Sequence, residues 1–219
     1  MKNYIPVLEK CSLFTGIGRE NLLGVLDCLG AAVTAVGKNQ TVWSEGDPAV
    51  YVGIVLEGSV QIVKEDYYGN RSIMARAAAA ELFGESFACA EVAALPVSVI
   101  AAEESRIMLI DCRRITTTCS NSCGFHNQMI YNLLHVVAAK NLAFSQKIEI
   151  TAQRTTREKL MAYLTSQAKL QNSSSFTIPF DRQGLADYLN VERSAMSAEI
   201  SKLRKDGILE CRKNSFTLL

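Results

Sequence analysis

Histidine is scarce in this sequence, which has only His126 and His135 among its 219 residues. A metal-dependent enzyme that holds its ion through several imidazoles is therefore disfavoured. The sequence also lacks a Gly-x-Ser-x-Gly nucleophile elbow and a glycine-rich loop of the kind that cradles phosphate. We expect no enzymatic activity, and we predict no catalytic residue and no metal ligand.

Long apolar runs are missing as well. The first residues, MKNYIPVLEKCSLF, carry Glu9 and Lys10 where a secretory signal needs an apolar core. Stretches such as ACAEVAALPVSVIAA contain Glu or Pro and fall short of the roughly 18 apolar residues that a membrane span needs. Cysteine occurs seven times, and an odd number favours reduced thiols over a disulfide framework. The sequence predicts a soluble, cytoplasmic protein without a membrane partner.

The net charge of +1 conceals an asymmetry between the two ends of the chain. Residues 151–219 contain eleven Lys or Arg and seven Asp or Glu, whereas residues 1–150 contain twelve and fifteen. The C-terminal region is therefore basic and the rest is acidic. A basic tail suggests a nucleic-acid partner, although a chance excess of cations on a solvated face gives the same counts.

Residues 33–111 carry the pattern of short antiparallel strands. TVWSEGD, YVGIVLEGSVQIVKED and SVIAAEESRIMLIDC alternate in polarity or form short β-branched runs. Turn residues separate them at Glu45-Gly46-Asp47, Glu57-Gly58 and Tyr68-Gly69-Asn70. Closely spaced strands of this kind predict an antiparallel barrel or sandwich. Arg19–Leu29 is predicted to be an amphipathic helix, and RAAAAELFG a helical turn or a loop.

An apolar seam follows, from about Ser122 to Ile150, with steps of four and three residues as in a coiled coil. Its members are Ile130, Leu134, Val137, Asn141, Phe144 and Ile148. The seam predicts a helix that pairs with a second copy of the chain, and a lone Asn such as Asn141 fixes the register of such pairs. The alternative is a helix that packs on its own domain. Both interpretations hold if one side of the helix packs on the roll and the seam packs on the second copy. Thr151–Thr156 then breaks the seam and predicts a hinge before a helix at Thr156–Leu170.

The segment DRQGLADYLNVERSAMSAEISKLRKDGIL, Asp181–Leu209, predicts two short helices joined by a tight corner. Gln183–Leu189 forms the first helix and Glu192–Lys205 the second. Asn190 lies at the corner, because asparagine tolerates the left-handed backbone conformation. The inner face of the second helix repeats at helical spacing through Met196, Ile200 and Leu203.

The outer face of the second helix has small residues and cations, which suit the DNA major groove. After it, DGILECRKNSFTLL predicts a β-hairpin, the wing of a winged helix-turn-helix, with Lys213 at its tip. The alternative is a helical hairpin with a solvated face. The predicted DNA-binding residues are Gln183, Arg193, Ser194, Ser197, Ala198, Ser201, Lys202 and Lys213.

This order of parts resembles the Crp/Fnr family of bacterial transcription regulators, over nearly the whole chain. TVWSEGDPAVYVGIVLEGSVQIVKED is similar to the family's glycine-punctuated β-roll, FGES to the start of its phosphate-binding cassette, and Asp181–Leu209 to its DNA-binding motif. The resemblance implies an α+β fold of two domains. An N-terminal antiparallel β-roll (a double-stranded β-helix) leads through a long dimerisation helix to a C-terminal winged helix-turn-helix. A cupin enzyme, which shares the roll, is disfavoured by the two histidines.

Departures from the family pattern bear on the effector. Members that respond to cyclic AMP end the cassette in an Arg-Ser pair, where this chain has Leu95-Pro96. A buried phosphate without that arginine loses a charge-assisted contact, so cyclic AMP is disfavoured and a less charged small molecule is left open. Glu85 is either a ligand contact or a turn-capping acid. The candidate pocket comprises Gly84, Glu85, Ser86, Leu95, Pro96 and Val97.

The cysteines leave two further hypotheses open. Only Cys11 and Cys28 precede the roll, too few for the four-thiolate iron–sulfur cluster of the oxygen-sensing branch, which we disfavour. The stretch DCRRITTTCSNSCGFH gathers Cys112, Cys119, Cys123 and His126 at spacings that match no zinc pattern. Idle thiols are the simpler interpretation, with a metal or redox site as the alternative. Cys89 in the cassette is a candidate for oxidation, and His135 is placed on a surface or an interface.

We therefore predict three segments: a sensor roll at 1–121, a dimerisation helix at 122–150 and a winged helix-turn-helix at 151–219. The predicted function is a homodimeric transcription regulator that binds a two-fold symmetric double-stranded DNA site and senses a small molecule or a redox signal. RNA polymerase is left open as a further partner. The alternative is a ligand-binding or thiol redox-sensing module whose DNA binding is secondary. In the recognition helix Arg193 follows the pattern of the family's activators, but Ser194 and Ala198 do not. The DNA sequence that this chain recognises should therefore differ from theirs.

Overall fold

A computed structural model of the chain describes residues 1–117 and 124–219. Its helices are α1 (Ile5–Leu8), α2 (Arg19–Leu29), α3 (Glu85–Cys89), α4 (Cys112–Thr116), α5 (Gly124–Thr151), α6 (Thr156–Leu170), α7 (Arg182–Leu189) and α8 (Arg193–Lys205). Its strands are β1 (Ala32–Val36), β2 (Thr41–Trp43), β3 (Tyr51–Glu57), β4 (Ser59–Glu65), β5 (Arg71–Ala78), β6 (Leu82–Phe83), β7 (Ser98–Ala101), β8 (Ser105–Asp111), β9 (Ser175–Thr177), β10 (Leu209–Arg212) and β11 (Ser215–Leu218). The predicted helix start at Ser122 lies outside the described residues.

The chain divides into two compact units. Met1–Glu65 and Met74–Asn141 form the first, and Asp66–Ile73 and Leu142–Leu219 form the second. Helix α5 contributes residues to both units. The limits 1–121, 122–150 and 151–219 stay a prediction.

Two four-stranded antiparallel sheets build the first unit, in the strand orders β1-β8-β3-β6 and β2-β7-β4-β5. Strand β3 is buried on both faces, which explains its nearly continuous apolar sequence. Val55 packs in the cluster between the sheets, with Val60 and Val99. Ile54 points the other way and packs with residues of α1 and α2. The predicted antiparallel roll is confirmed.

A chain of close aromatic contacts fixes the start of α3. Gly53 is required because a Cβ atom there would lie 2.2 Å from the ring of Phe83. Phe83 packs on Trp43, with ring centroids 4.8 Å apart. Gly84 has a φ of +78°, and a Cβ atom there would lie 2.5 Å from the Trp43 ring. The residue before Glu85 is thereby held in a left-handed conformation that orients α3.

The prediction for RAAAAELFG was wrong in part. Strand β5 continues to Ala78 and β6 begins at Leu82, so this alanine-rich segment is mostly extended. Ala77 is buried in the cluster between the sheets, where its small side chain fits. Packing in the sheet thus overrides the helix propensity of alanine, which is a weak preference.

The second unit contains the winged helix-turn-helix. Helices α6, α7 and α8 pack with a three-stranded antiparallel sheet in the order β10-β11-β9. Helix α6 closes its own first turn through a capping box: the Glu158 N–H donates to the Thr155 side chain, and the Thr155 N–H donates to the Glu158 carboxylate. The predicted helix at Thr156–Leu170 is confirmed. The core of this unit includes Leu160, Leu164, Leu185, Leu189, Met196, Ile200, Leu203, Leu209 and Phe216.

Candidate nucleic-acid interface and signal-sensing site

Helices α7 and α8 meet at the corner that the sequence predicted. The Asp181 carboxylate accepts a hydrogen bond of 2.7 Å from the Gly184 N–H and caps α7. Asn190 ends α7 with a φ of 51° and a ψ of 58°, the left-handed conformation expected of it. Helix α8 then begins at Arg193, and its predicted inner residues Met196, Ile200 and Leu203 are buried.

The outer face of α8 carries no large apolar side chain. Arg193, Ser194, Ala198 and Ser201 are exposed, and Ser197 is half-buried. The Ser201 hydroxyl donates to the Ser197 carbonyl at 3.0 Å, which keeps that side chain close to the helix. This surface is therefore narrow enough for a DNA major groove, which admits one α-helix.

Two of the predicted DNA contacts have partners within their own helices. The Lys202 ammonium lies 2.7 Å from a carboxylate oxygen of Glu199, and the Gln183 amide donates to Asp187 at 2.7 Å. Each side chain must exchange this partner for a phosphate oxygen, so its net contribution to binding is reduced. Arg193 has no ion-pair partner within 4 Å among the described residues, which leaves it as the stronger candidate.

The hairpin of β10 and β11 has Lys213 at its tip, as predicted. Lys213 is exposed and has a φ of 56°, a conformation that glycine and asparagine tolerate better than lysine. The Asn214 amide donates to the Ile178 carbonyl at 3.1 Å and holds the turn on the sheet. As an exposed cation at the tip of the hairpin, Lys213 stays a candidate for a phosphate contact.

A basic groove between α8 and the hairpin was missed by the sequence reasoning. It has a volume of about 700 Å³, and its cations are Arg204, Lys205 and Arg212. All three are exposed. The sequence does carry a signal for this groove, because cations lie on both sides of Asp206-Gly207. The chain reverses direction there, between α8 and β10, and brings these cations together. These cations, with Glu210 among them, lie between α8 and the hairpin.

The predicted effector residues form two short segments of the roll. Glu85 is only 2% exposed, whereas Gly84 and Ser86 are half-buried. Leu95 and Val97 are buried, and Pro96 between them is exposed. The Leu95 backbone bonds to the loop at Gly46 and Asp47, at 2.9 and 2.8 Å.

The buried Glu85 carboxylate makes an ion pair with the half-buried Lys140 of α5. Its Oε1 lies 2.9 Å from the Lys140 ammonium, which also donates to the Leu82 carbonyl at 2.6 Å. The Ser86 hydroxyl donates to the same Oε1 at 3.3 Å. The other oxygen, Oε2, is buried without a hydrogen-bond partner among the described residues. The two interpretations of Glu85 thus gain a third, a charged link between the cassette and the long helix.

Helix α5 uses two faces in different ways. Met129 and Leu133 are buried in the helical side of the roll's core, and Asn132 donates to the Leu13 carbonyl at 2.9 Å. On the predicted seam, Leu134 and Ile148 are each 66% exposed. The remaining members are exposed or half-buried: Ile130, Val137, Asn141 and Phe144. Packing on the chain's own roll and an exposed apolar seam therefore coexist on one helix.

Two family models match the chain, in sequence order. The cyclic nucleotide-binding domain matches residues 33–122 and the Crp-like helix-turn-helix domain residues 158–219, together more than two thirds of the chain. The chain belongs to the Crp/Fnr family of transcription regulators. Its helix-turn-helix is accordingly of a DNA-binding type. None of the curated protein sequences compared with the chain matches it significantly.

Solved structures of this family share the fold. FixK2 from Bradyrhizobium japonicum is 20% identical, with a TM-score of 0.67 over 86% of this chain and 92% of that one. CLP of Xanthomonas campestris, a c-di-GMP-responsive global regulator, is 19% identical, with a TM-score of 0.73 over 90% and 98%. A CooA mutant from Carboxydothermus hydrogenoformans is 17% identical, with a TM-score of 0.71 over 89% and 85%.

The structure describes both histidines but only some of the cysteines of the proposed metal or redox site. His126 is buried in α5, and its Nε2 lies 3.2 Å from the Arg114 carbonyl, while His135 is exposed. Cys119 and Cys123 lie outside the described residues. Within residues 1–117 and 124–219, no three His, Cys, Asp or Glu side chains come together as a metal site would require. Across the same residues, no helix is long and apolar enough to cross a bilayer.

Loss of the Lys140 charge is expected to destabilise the roll. In Lys140→Met the Glu85 carboxylate stays buried without its counter-ion. Because the Lys140 side chain is 33% exposed, the cost should be less than for a fully buried pair, about 2 kcal/mol. Trp43 is the only tryptophan and packs on Gly84, so its fluorescence reports unfolding of this unit in urea. Lys38→Met, at an exposed lysine, is the matched control. The double variant Glu85→Gln/Lys140→Met should regain much of the loss, and equal stability of Lys140→Met and wild type would contradict the buried pair.

Alkaline pH is expected to stabilise the second unit through Lys147. The side chain is buried, with its ammonium 4.4 Å from the centroid of the Tyr188 ring, and burial lowers the pKa of Lys147 from 10.5 to about 8. Between these two pKa values the unfolded chain binds more protons than the folded one, so the free energy of unfolding rises with pH. From pH 7.5 to 9.5 the gain should be about 2 kcal/mol. Urea titrations of wild type and Lys147→Met measure it, and an equal pH response of both proteins would refute it.

Proposed function

We propose that the chain is a homodimeric, sequence-specific DNA-binding transcription regulator, not an enzyme, whose roll receives a signal other than cyclic AMP. The observation that carries this proposal is the outer face of α8. It is exposed and narrow, it begins with the cation Arg193, and a basic groove continues it toward Lys213. A helix of this shape enters a major groove, while the cations on either side neutralise phosphates.

Dimerisation is supported by the exposed seam of α5. Monomeric proteins rarely expose a long row of large apolar side chains without a partner to cover them. Leu142, 73% exposed and beside Asn141, extends the apolar surface beyond the predicted seam. Two copies joined along this seam present two recognition helices, which suits a two-fold symmetric DNA site with half-sites about one turn apart.

The exclusion of cyclic AMP is supported by the Leu95 position. Its side chain is buried and apolar where family members that bind cyclic AMP place an arginine. A phosphate there would lack a charge-assisted hydrogen bond and would be buried against hydrocarbon. A less polar molecule, or a chemical change of the protein itself, is the signal that this region favours.

Selection of bound sequences from a random duplex pool tests the proposal. The purified protein should enrich an inverted repeat, and gel shifts with that repeat should give one complex containing two chains. Cyclic AMP in the same reactions should leave the bound fraction unchanged. Failure to enrich any sequence would overturn DNA regulation and favour a ligand-binding or thiol redox-sensing module. Mass spectrometry of small molecules that co-purify with the protein would then identify the ligand of the roll.

A further inference from the structure

Two cysteines meet beside the ion pair of Glu85. Cys89 is the last residue of α3 and Cys112 the first of α4, and their sulfur atoms are 3.5 Å apart. Cys89 is exposed and Cys112 is buried. The sulfurs are therefore already in van der Waals contact, although 23 residues separate them in the sequence.

The pKa values of the two thiols are shifted in opposite directions, as a pair of one attacking and one resolving cysteine requires. The hydrogen bond from the Cys112 thiol lowers the pKa of Cys89, against the opposing effects of burial and of the Glu85 charge. The same hydrogen bond, together with burial, raises the pKa of Cys112. A thiolate, not a thiol, attacks an oxidant, so Cys89 is the attacking group and Cys112 stays a neutral thiol.

We propose that Cys89 and Cys112 form a reversible disulfide when a hydroperoxide oxidises the protein. The Cys89 thiolate attacks the terminal oxygen of hydrogen peroxide, the O–O bond breaks, and sulfenic acid and hydroxide result. The Cys112 sulfur then attacks the Cys89 sulfur, the S–O bond breaks, and the displaced hydroxide leaves as water with the thiol proton. The two thiols lose two electrons in total, and the peroxide takes both.

Disulfide formation must move α3. The sulfurs have to approach from 3.5 Å to the bond length of about 2.05 Å. Cys112 is held by the hydrogen bond from its N–H to the Val50 carbonyl, at 3.0 Å, and by burial against the roll. Cys89 ends a helix of only five residues and is exposed, so it is the partner that shifts.

Movement of α3 reaches the long helix through Glu85. Cys89 follows Glu85 by four residues, so both lie on one side of α3. The Glu85 carboxylate is paired with Lys140 of α5 at 2.9 Å. Oxidation therefore alters the contact between the cassette and α5, the helix that carries the proposed dimer seam. This regulatory consequence rests on the proposed function, whereas the disulfide itself does not.

Peptide mapping tests the bond directly. The reduced full-length protein is treated with hydrogen peroxide, alkylated and digested with trypsin without reductant. Cleavage isolates Cys89 in peptide 77–106, Cys112 in 107–113, and Cys119 with Cys123 in 115–140. We expect a disulfide to link peptides 77–106 and 107–113, and dithiothreitol to separate them. In the control Cys28→Ser this disulfide should form at the same rate as in the wild type. In Cys112→Ser, Cys89 should instead accumulate as sulfenic and then sulfinic acid.

Other linkages would overturn the proposal. A bond from 77–106 to 115–140, or no bond while Cys28 alone is oxidised, refutes the pair. Gel shifts on the selected duplex separate this result from the proposed function. If the disulfide forms and the reduced protein binds DNA, but oxidation changes affinity no more in wild type than in Cys112→Ser, the regulatory role fails and DNA recognition stands. If neither form binds any duplex, the proposed function fails while the mapped bond remains.

Discussion

The double variant Leu134→Glu/Ile148→Glu is expected to be a monomer and to lose specific DNA binding. In the proposed dimer these two side chains are covered in both copies, which gives four apolar groups worth about 1.5–3 kcal/mol each. Glutamates at these positions also place like charges opposite one another. The dimer dissociation constant should therefore rise by at least about four orders of magnitude.

DNA binding falls with the dimer because two linked half-site contacts are replaced by one. The loss of the second contact should weaken binding by about 10²- to 10⁴-fold. Sedimentation velocity at micromolar concentration measures the assembly, and gel shifts on the selected repeat measure binding. Leu170→Glu is the matched control, because Leu170 is 79% exposed and belongs to α6, not to the seam of α5. A double variant that sediments as a dimer would refute the seam.

Arg193→Ala is expected to weaken binding to the selected repeat far more than binding to random duplex. A good bidentate contact to a base edge is worth about 1–3 kcal/mol, and a dimer makes it twice. The affinity for the repeat should then fall by at least about 30-fold. Arg193 is the first residue of α8 and is exposed, so its removal leaves the packing of Met196 and Leu203 intact.

Lys213→Gly serves as the comparison for Arg193→Ala. Glycine removes the charge and also suits the φ of 56° at this position, so the turn should not be destabilised. If Lys213 contacts phosphate, the salt dependence of log K should become shallower by about two for the dimer, with sequence preference unchanged. Equal, small effects of both variants on specific binding would count against the proposed docking of α8.

The elements that were predictable from the sequence are those set by local pattern. The ends of α2 at Arg19 and Leu29 agree with the prediction, and α8 differs from it by one residue. Asn190 at the corner follows from its own backbone preference, and Met196, Ile200 and Leu203 from helical spacing. These features depend on neighbours a few residues away, which the sequence displays directly.

Contacts between distant residues were not predictable in the same way. Lys140 is 55 positions after Glu85, and no local pattern marks a lysine on an amphipathic helix as the partner of a buried acid. Cys89 and Cys112 were each noted, but their 3.5 Å contact depends on how α3 and α4 meet at the roll. The extended Ala77 shows the reverse case, in which tertiary packing overrode a correct local preference.

The capping box at the start of α6 has a consequence for how such regulators diversify. Thr155 and Glu158 satisfy each other's backbone N–H groups, so the first turn of the helix is capped by residues of its own segment. A gene fusion that joined a different receiver module just upstream of Thr155 would leave this terminus intact. The N-terminus of the helix-turn-helix is thus closed by its own residues, so a recombination joint just upstream of Thr155 need not supply a new cap, although it would have to preserve the contact of Lys147 with Tyr188.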